Sequence, residues 1–146
     1  MCQVFIGENC TERETTEAAL RNGLWQYNME ATEGLLPEPG ISINLIARNE
    51  EGRVIGGIVC ETYLKCMEIN VLWVDRAYRK QGLGYRLMEQ AESKAKQAGC
   101  LLSHTSTYSF QAPDFYIRQG YEVCGVIDGF PNDIKLYSLK KKLLCG

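Results

Sequence analysis

Val71-Leu72-Trp73-Val74-Asp75-Arg76-Ala77-Tyr78-Arg79-Lys80-Gln81-Gly82-Leu83-Gly84 is the stretch on which the fold turns. It opens as an apolar strand, passes through a short basic turn and reaches two glycines at the head of a segment with helical periodicity. Glycines at such a point let the backbone approach a ligand closely. The free N–H groups of a helix start, helped by its dipole, suit a phosphate or pyrophosphate. Arg76, Arg79 and Lys80 add positive charge around them. The segment is not a Walker A loop, because it lacks the Lys-Ser/Thr ending. Nor is it the G-x-G-x-x-G dinucleotide motif, because it supplies only Gly82 and Gly84. The pattern that fits is [R/Q]-x-x-G-x-[G/A], filled by Arg79, Gly82 and Gly84.

Working outward, 82–98 has helical spacing, with Leu83, Leu87, Ala91, Ala95 and Ala98 on one face and Met88 beside them. Glu92 and Lys96 are placed as an i,i+4 pair, and Gly99 ends the helix. Upstream, 67–74 reads as a central strand buried on both faces. Before it, 41–47 and 54–60 read as a hairpin joined by Asn49-Glu50-Glu51-Gly52. Downstream come a strand at 100–105 and a short helix opened by Pro113 and Asp114 and closed by Gly120. Strands at 121–127 and 135–139 follow, with Lys140-Lys141-Lys142 as a solvated edge device. At the N-terminus, 4–6 is a short strand candidate. Thr11-Glu12-Arg13-Glu14 forms a capping box for a helix with Ala18, Leu20, Leu24 and Trp25 inward, broken near Asn22-Gly23. Residues 33–40, with Pro37 and Pro39, read as a loop. The fold class is α/β (α+β mixed): a central mixed sheet flanked by helices, in one domain over 1–146.

Composition narrows the partners. The chain has 146 residues, 45% hydrophobic and 23% charged, which excludes disorder as its main state. A net charge of −2 provides no global field for nucleic acid or an anionic membrane. No apolar run is long enough to cross a bilayer, and the N-terminus lacks the basic start of a signal peptide. Seven cysteines and one histidine show no metal-ligand spacing, so no metal is expected. The cysteines read as reduced packing residues of a cytoplasmic protein.

A second motif joins the first: Ala112, Phe115, Tyr116, Gly120 and Tyr121 fill N-x-x-A-x-x-F-Y-x-K-x-G-[F/Y], with Arg118 in the Lys place and Ser109 in place of the Asn. With both motifs in this order, the sequence resembles the GNAT superfamily of acetyl-CoA-dependent N-acetyltransferases. The resemblance implies a strongly twisted mixed sheet whose central parallel strands splay to admit acetyl-CoA as co-substrate. It implies that backbone groups of Leu72, Trp73 and Val74 bind the pantetheine arm. The pyrophosphate would sit on Arg79, Lys80, Gln81, Gly82, Leu83 and Gly84, and Ser109 would stand where a side chain contacts the coenzyme. The superfamily is often dimeric, so a homodimer is possible.

By the same resemblance, the acetyl group passes directly to a primary amine of a small molecule or peptide in a ternary complex, and Tyr116 is the general acid for the departing thiolate. Glu68, on the same face as Asn70, Leu72 and Val74 by period two, matches the spacing of a general base, and His104, Glu61 or a water chain are alternatives. Trp25, Tyr27, Tyr63, Tyr108, Phe110, Asp128 and Asp133 are candidates for an aromatic and acidic acceptor pocket. A cysteine nucleophile would make the reaction ping-pong, but none has a base beside it. The competing function is a non-catalytic acyl-CoA-binding sensor or regulatory module.

Overall fold

A computed structural model describes residues 2–8, 11–32 and 40–143. They belong to two compact units, 1–38 and 39–146, which are taken in turn.

The first unit holds one helix, α1 (Arg13–Ala31). Residues 4–6 form no strand, since a three-residue run without a neighbour cannot pair its backbone groups. The capping box at Thr11 does not form either. Glu12 caps the helix in the left-handed conformation (φ 51°), and the Thr16 N–H and hydroxyl both donate to its carbonyl at 3.1 Å. Gly23 does not break α1: a mid-helix glycine costs about 1 kcal/mol, which a 19-residue helix absorbs. No side chain of α1 is buried. Leu20 and Leu24, expected inward, are 70% and 61% exposed, because a lone helix offers itself no second layer. Residues 33–39 of the expected loop lie outside the described residues.

The second unit contains β1 (Ser42–Arg48), β2 (Val54–Tyr63), β3 (Cys66–Val74), α2 (Leu83–Gln97), β4 (Leu102–Tyr108), α3 (Pro113–Arg118), β5 (Glu122–Ile127) and β6 (Leu136–Lys142). The strands form one mixed sheet in the order β1-β2-β3-β4-β6-β5. Only β3 and β4 run parallel. This is the mixed α/β architecture expected from the sequence.

One sheet face carries the core. Ile43, Ile58, Cys60, Met67, Ile69 and Leu139 pack with Leu87, Met88, Ala91 and Ala95 of α2. Ala98 is the exposed C-cap and does not join that face. Glu92 also turns inward, since it lies four residues from Met88 on the helix, so its expected pairing with Lys96 is not made. It binds Lys141 instead, Nζ to Oε1 at 2.6 Å. The Tyr121 hydroxyl, 2.7 Å from that of Ser103, donates to the other Glu92 oxygen at 3.4 Å. Lys140-Lys141-Lys142 is therefore no edge device: β6 runs through Lys142 and lies between β4 and β5.

Strand β3 is central but not buried on both faces. Met67 and Ile69 are buried, whereas Val71 and Trp73 are about half exposed (52% and 46%). Its register against β2 slips by one: Cys60 faces Ile69, but Val59 faces Val71, leaving Asn70 as an extra residue. Such a bulge inverts the alternation that follows it. Leu72 and Val74 thus pack on the core beside Ile58, while Glu68 shares the opposite face with Val71 and Trp73. The period-two expectation that grouped Glu68 with Leu72 and Val74 fails at this residue.

Glu92 is buried but Lys141 is only partly so, so Glu92→Ala, which removes a charge-assisted bond and leaves a lysine that can reach water, should cost about 1–3 kcal/mol. The double change Glu92→Met, Lys141→Met should cost less than that single one in urea unfolding.

Candidate active site

The four rungs between β3 and β4 run from Cys66–Leu102 to Ile69–Thr105 and then stop. The Thr105 hydroxyl closes the last rung by donating to the Ile69 carbonyl at 3.1 Å. Beyond it, β3 keeps its pairing with β2, and β4 keeps its pairing with β6. Their facing edges part at the bulge, and a cleft of about 970 Å³ opens between them. Along its β3 wall, 70–74, the backbone groups that point away from β2 have no strand partner, which makes an edge able to pair with an extended amide-bearing ligand.

The wall leads into the basic turn. The Asp75 carboxylate accepts from the Ala77 N–H at 2.9 Å. Asn49 donates to the Tyr78 hydroxyl at 3.4 Å, and Arg53 lies 3.7 Å from Asp75, so the β1–β2 turn braces this one. Arg79 donates from Nε to the Val74 carbonyl at 2.9 Å, pinning its guanidinium to the end of β3. Lys80 (φ 61°) and Gly82 (φ 80°) are both left-handed, a geometry that gathers neighbouring N–H groups into an anion-binding hollow. The first helical acceptor bond of α2 is Arg86 N–H to the Gly82 carbonyl, 3.0 Å. The N–H groups of Leu83, Gly84 and Tyr85 therefore have no i−4 partner. At Gly84, a Cβ would lie 3.3 Å from the Phe115 ring, so glycine lets α3 close against α2.

Tyr116, on α3, lines the cleft and is 8% exposed. Burial pushes its phenol above the ordinary 10, and the Thr105 hydroxyl facing it acts against that rise. Cys60 is held at about 12 by burial. Cys66 is raised by burial and then by Cys100 and Glu68, and Cys100 is raised by burial. Thiols so held in the protonated form are poor nucleophiles.

On the sheet face away from α2, a second hollow of about 440 Å³ is lined by Gly40, Ser42, Glu61, Tyr63 and Glu68. Glu61 and Glu68 face each other across β2 and β3, and His104 stands opposite Glu68 on β4. Two of the proposed bases and the histidine are therefore neighbours in one row.

Of the residues expected at the coenzyme site, Leu72, Trp73, Val74, Arg79, Lys80, Gly82, Leu83 and Gly84 line the main cleft together with Tyr116. Gln81 lies in the same turn without lining it. Ser109 is placed elsewhere: its hydroxyl accepts from the Lys135 N–H at 3.1 Å. Tyr108 reaches the cleft only through Phe110, on which it stacks at 5.4 Å, and exposed Asp128 is not in the lining. Trp25 and Tyr27 belong to the first unit. Gln111, a cleft residue, was missed because it occupies a variable position of the second motif. Among the described residues, no three His, Cys, Asp or Glu side chains gather as metal ligands, and no helix is long and apolar enough to cross a membrane.

The sequence profile of the Acetyltransferase (GNAT) family matches residues 10–121. The chain belongs to the GNAT acetyltransferase family. It is similar to blasticidin-S acetyltransferase of Streptomyces morookaense, 39% identical over 98 residues, covering 66% of this chain and 72% of that one. An acetyltransferase of Agrobacterium fabrum is 29% identical over 94% of this chain and 98% of its own length. The crystal structure of an acetyltransferase from Bacillus cereus shares the fold with a TM-score of 0.84 at 34% identity, covering 95% of this acetyltransferase and 98% of that chain.

The Gly84–Phe115 contact is testable without a substrate. Gly84→Val should cost the acetyltransferase about 1–3 kcal/mol by overpacking. In a double-mutant cycle with Phe115→Ala, read by urea unfolding, part of that cost should disappear.

Proposed function

We propose that the enzyme transfers the acetyl group of acetyl-CoA to a primary amine on a small cationic molecule by direct attack. The observation that carries this reading is the continuity of the cleft. An unpaired strand edge at 70–74 and the N–H groups and cationic side chains of the turn at 79–85 line one cleft. An amide-containing arm followed by a pyrophosphate matches that sequence of surfaces, and coenzyme A has both. Once bound, the coenzyme supplies the acetyl group as a thioester.

The residues divide the remaining work. Free N–H groups of the β3 wall hydrogen-bond the arm and can stabilise negative charge developing on the carbonyl oxygen. Tyr116 holds a proton in a buried setting that keeps it protonated well into the alkaline range, so it is suited to protonating the departing sulfur. Glu68 accepts a proton from the acceptor ammonium, whose unperturbed pKa near 10.4 leaves it charged at neutral pH. Glu61 opposite Glu68 adds a second negative charge to the same hollow. That pairing, unfavourable between bare carboxylates on adjacent strands, favours a cationic acceptor. The similarity to blasticidin-S acetyltransferase supports a small-molecule acceptor over a protein one. The free thiols at Cys60, Cys66 and Cys100 accord with a reduced, cytoplasmic setting.

Calorimetry with acetyl-CoA tests the coenzyme: saturable binding is expected, and its absence at millimolar ligand would falsify the proposal. Cationic amines, blasticidin S among them, are then screened by release of free thiol. With the acceptor in hand, Tyr116→Phe should lower kcat about 10²-fold or more, and the wild-type kcat should not decline with rising pH below the ordinary tyrosine value of 10. Glu68→Gln should lower kcat/KM by about 10²-fold. An unchanged rate in either variant removes that residue from its role.

A further inference from the structure

The second motif of the family places an asparagine where this chain has Ser109, and the Ser109 hydroxyl is already engaged with the Lys135 N–H. Its backbone is engaged as well, the Ser109 N–H donating to the Lys135 carbonyl at 2.8 Å. Ser109 therefore fastens the β4–α3 loop to the segment before β6, and it is not in the lining of the cleft. Two residues on, Gln111 lies in the lining of the main cleft. Its Oε1 accepts from the Tyr108 N–H at 2.8 Å and from the Thr107 hydroxyl at 3.0 Å. A backbone N–H can only donate, so this bond fixes which end of the carboxamide is oxygen. The NH₂ group is then the end left over. Gln111 is exposed, and its NH₂ group has no hydrogen-bond partner among the described residues, so these donors are free to meet a ligand in the cleft that the side chain lines.

We propose that Gln111 is a coenzyme-positioning residue, its braced carboxamide presenting N–H donors to an oxygen of the bound acyl-CoA. This rests on the reading of the cleft as the coenzyme site. The chemistry suits the role. The ligand's arm and phosphates are rich in acceptors, whereas the β4 side of the cleft offers mainly hydroxyls. A carboxamide whose oxygen is held by two bonds has little rotamer freedom left to lose on binding, which makes its free donors more effective than those of a mobile side chain.

Two near-isosteric variants separate this role from its neighbours. Gln111→Glu keeps an oxygen for Tyr108 and Thr107 but has no donor. Gln111→Met removes donor and acceptor and adds no charge. Calorimetry with coenzyme A alone measures affinity, and a thermal melt of the unliganded protein reports folding. If the donor matters, both variants bind coenzyme A roughly 3- to 10-fold more weakly, the scale of one hydrogen bond. The loss in the Glu variant should persist at high salt (about 0.5 M), where surface repulsion is screened. Binding by the Glu variant within twofold of wild type at high salt would mean that only the brace matters, and binding by the Met variant within twofold would mean that only charge does. Either result overturns the proposal. Failure of the wild-type protein to bind coenzyme A would strike the reading of the cleft itself, a result distinguishable from failure of Gln111.

Discussion

Strands β3 and β4 run side by side for four residues and then separate, and the position of the bulge at Asn70 explains why. A parallel pair needs both strands to keep the same twist and alternation. The extra residue at Asn70 shifts β3 by one position relative to β2 immediately after the last rung at Ile69. From there β3 follows β2, and β4 follows β6. The edges between them lose their partners, which in a closed sheet would be a defect. Here the defect lies open as a groove with largely apolar and aromatic side chains and unpaired backbone groups along one wall, and the basic turn stands at its end.

The groove needs both ends held. At the closed end, rungs 66–69 are backed by buried Ser103, Tyr121 and Glu92 with partly buried Lys141, a set that ties β4, β6 and α2 together. At the open end, Arg79 grips the Val74 carbonyl, so the turn cannot drift from the strand that leads into it. Asn49 and Arg53 support the same turn from the β1–β2 hairpin. Gly84 then sets the distance between α2 and α3 and, through Phe115, the seat of Tyr116.

The parts legible in the sequence were those with local signals. The apolar run into Val74, the glycines at 82 and 84, the period of α2 and the Pro113 start of α3 each depend on residues within one or two turns of one another, and each is found where expected. What was not legible depended on partners distant in sequence. Lys141 looked like part of a charged tail because Glu92 lies 49 residues away. Ser109 looked like a ligand contact because Lys135 could not be seen beside it. The Thr11 capping box was locally plausible, yet Glu12 adopted the left-handed cap instead. The bulge was not legible because a polar Asn70 between Ile69 and Val71 also fits the exposed position of a regular strand, and only its missing partner on β2 sets it apart.

That one unannounced residue has the largest consequence for catalysis. Without the bulge, Glu68 would share a face with Leu72 and Val74, on the side where α2 and Tyr116 pack. With it, Glu68 stands on the opposite face, beside Glu61 and His104. The proposed acid and base are therefore on the two sides of the sheet, and among the described residues β3 and β4 part just beyond Glu68, after the rung at Ile69. Such an arrangement suits a displacement in which the nucleophile arrives from one side and the leaving group is protonated on the other. In the proposed function it would let a cationic amine approach the carboxylate pair while the anionic coenzyme lies along the basic turn. On the proposed reading the two substrates would approach from surfaces of opposite charge, the amine past Glu61 and Glu68 and the coenzyme along the basic turn.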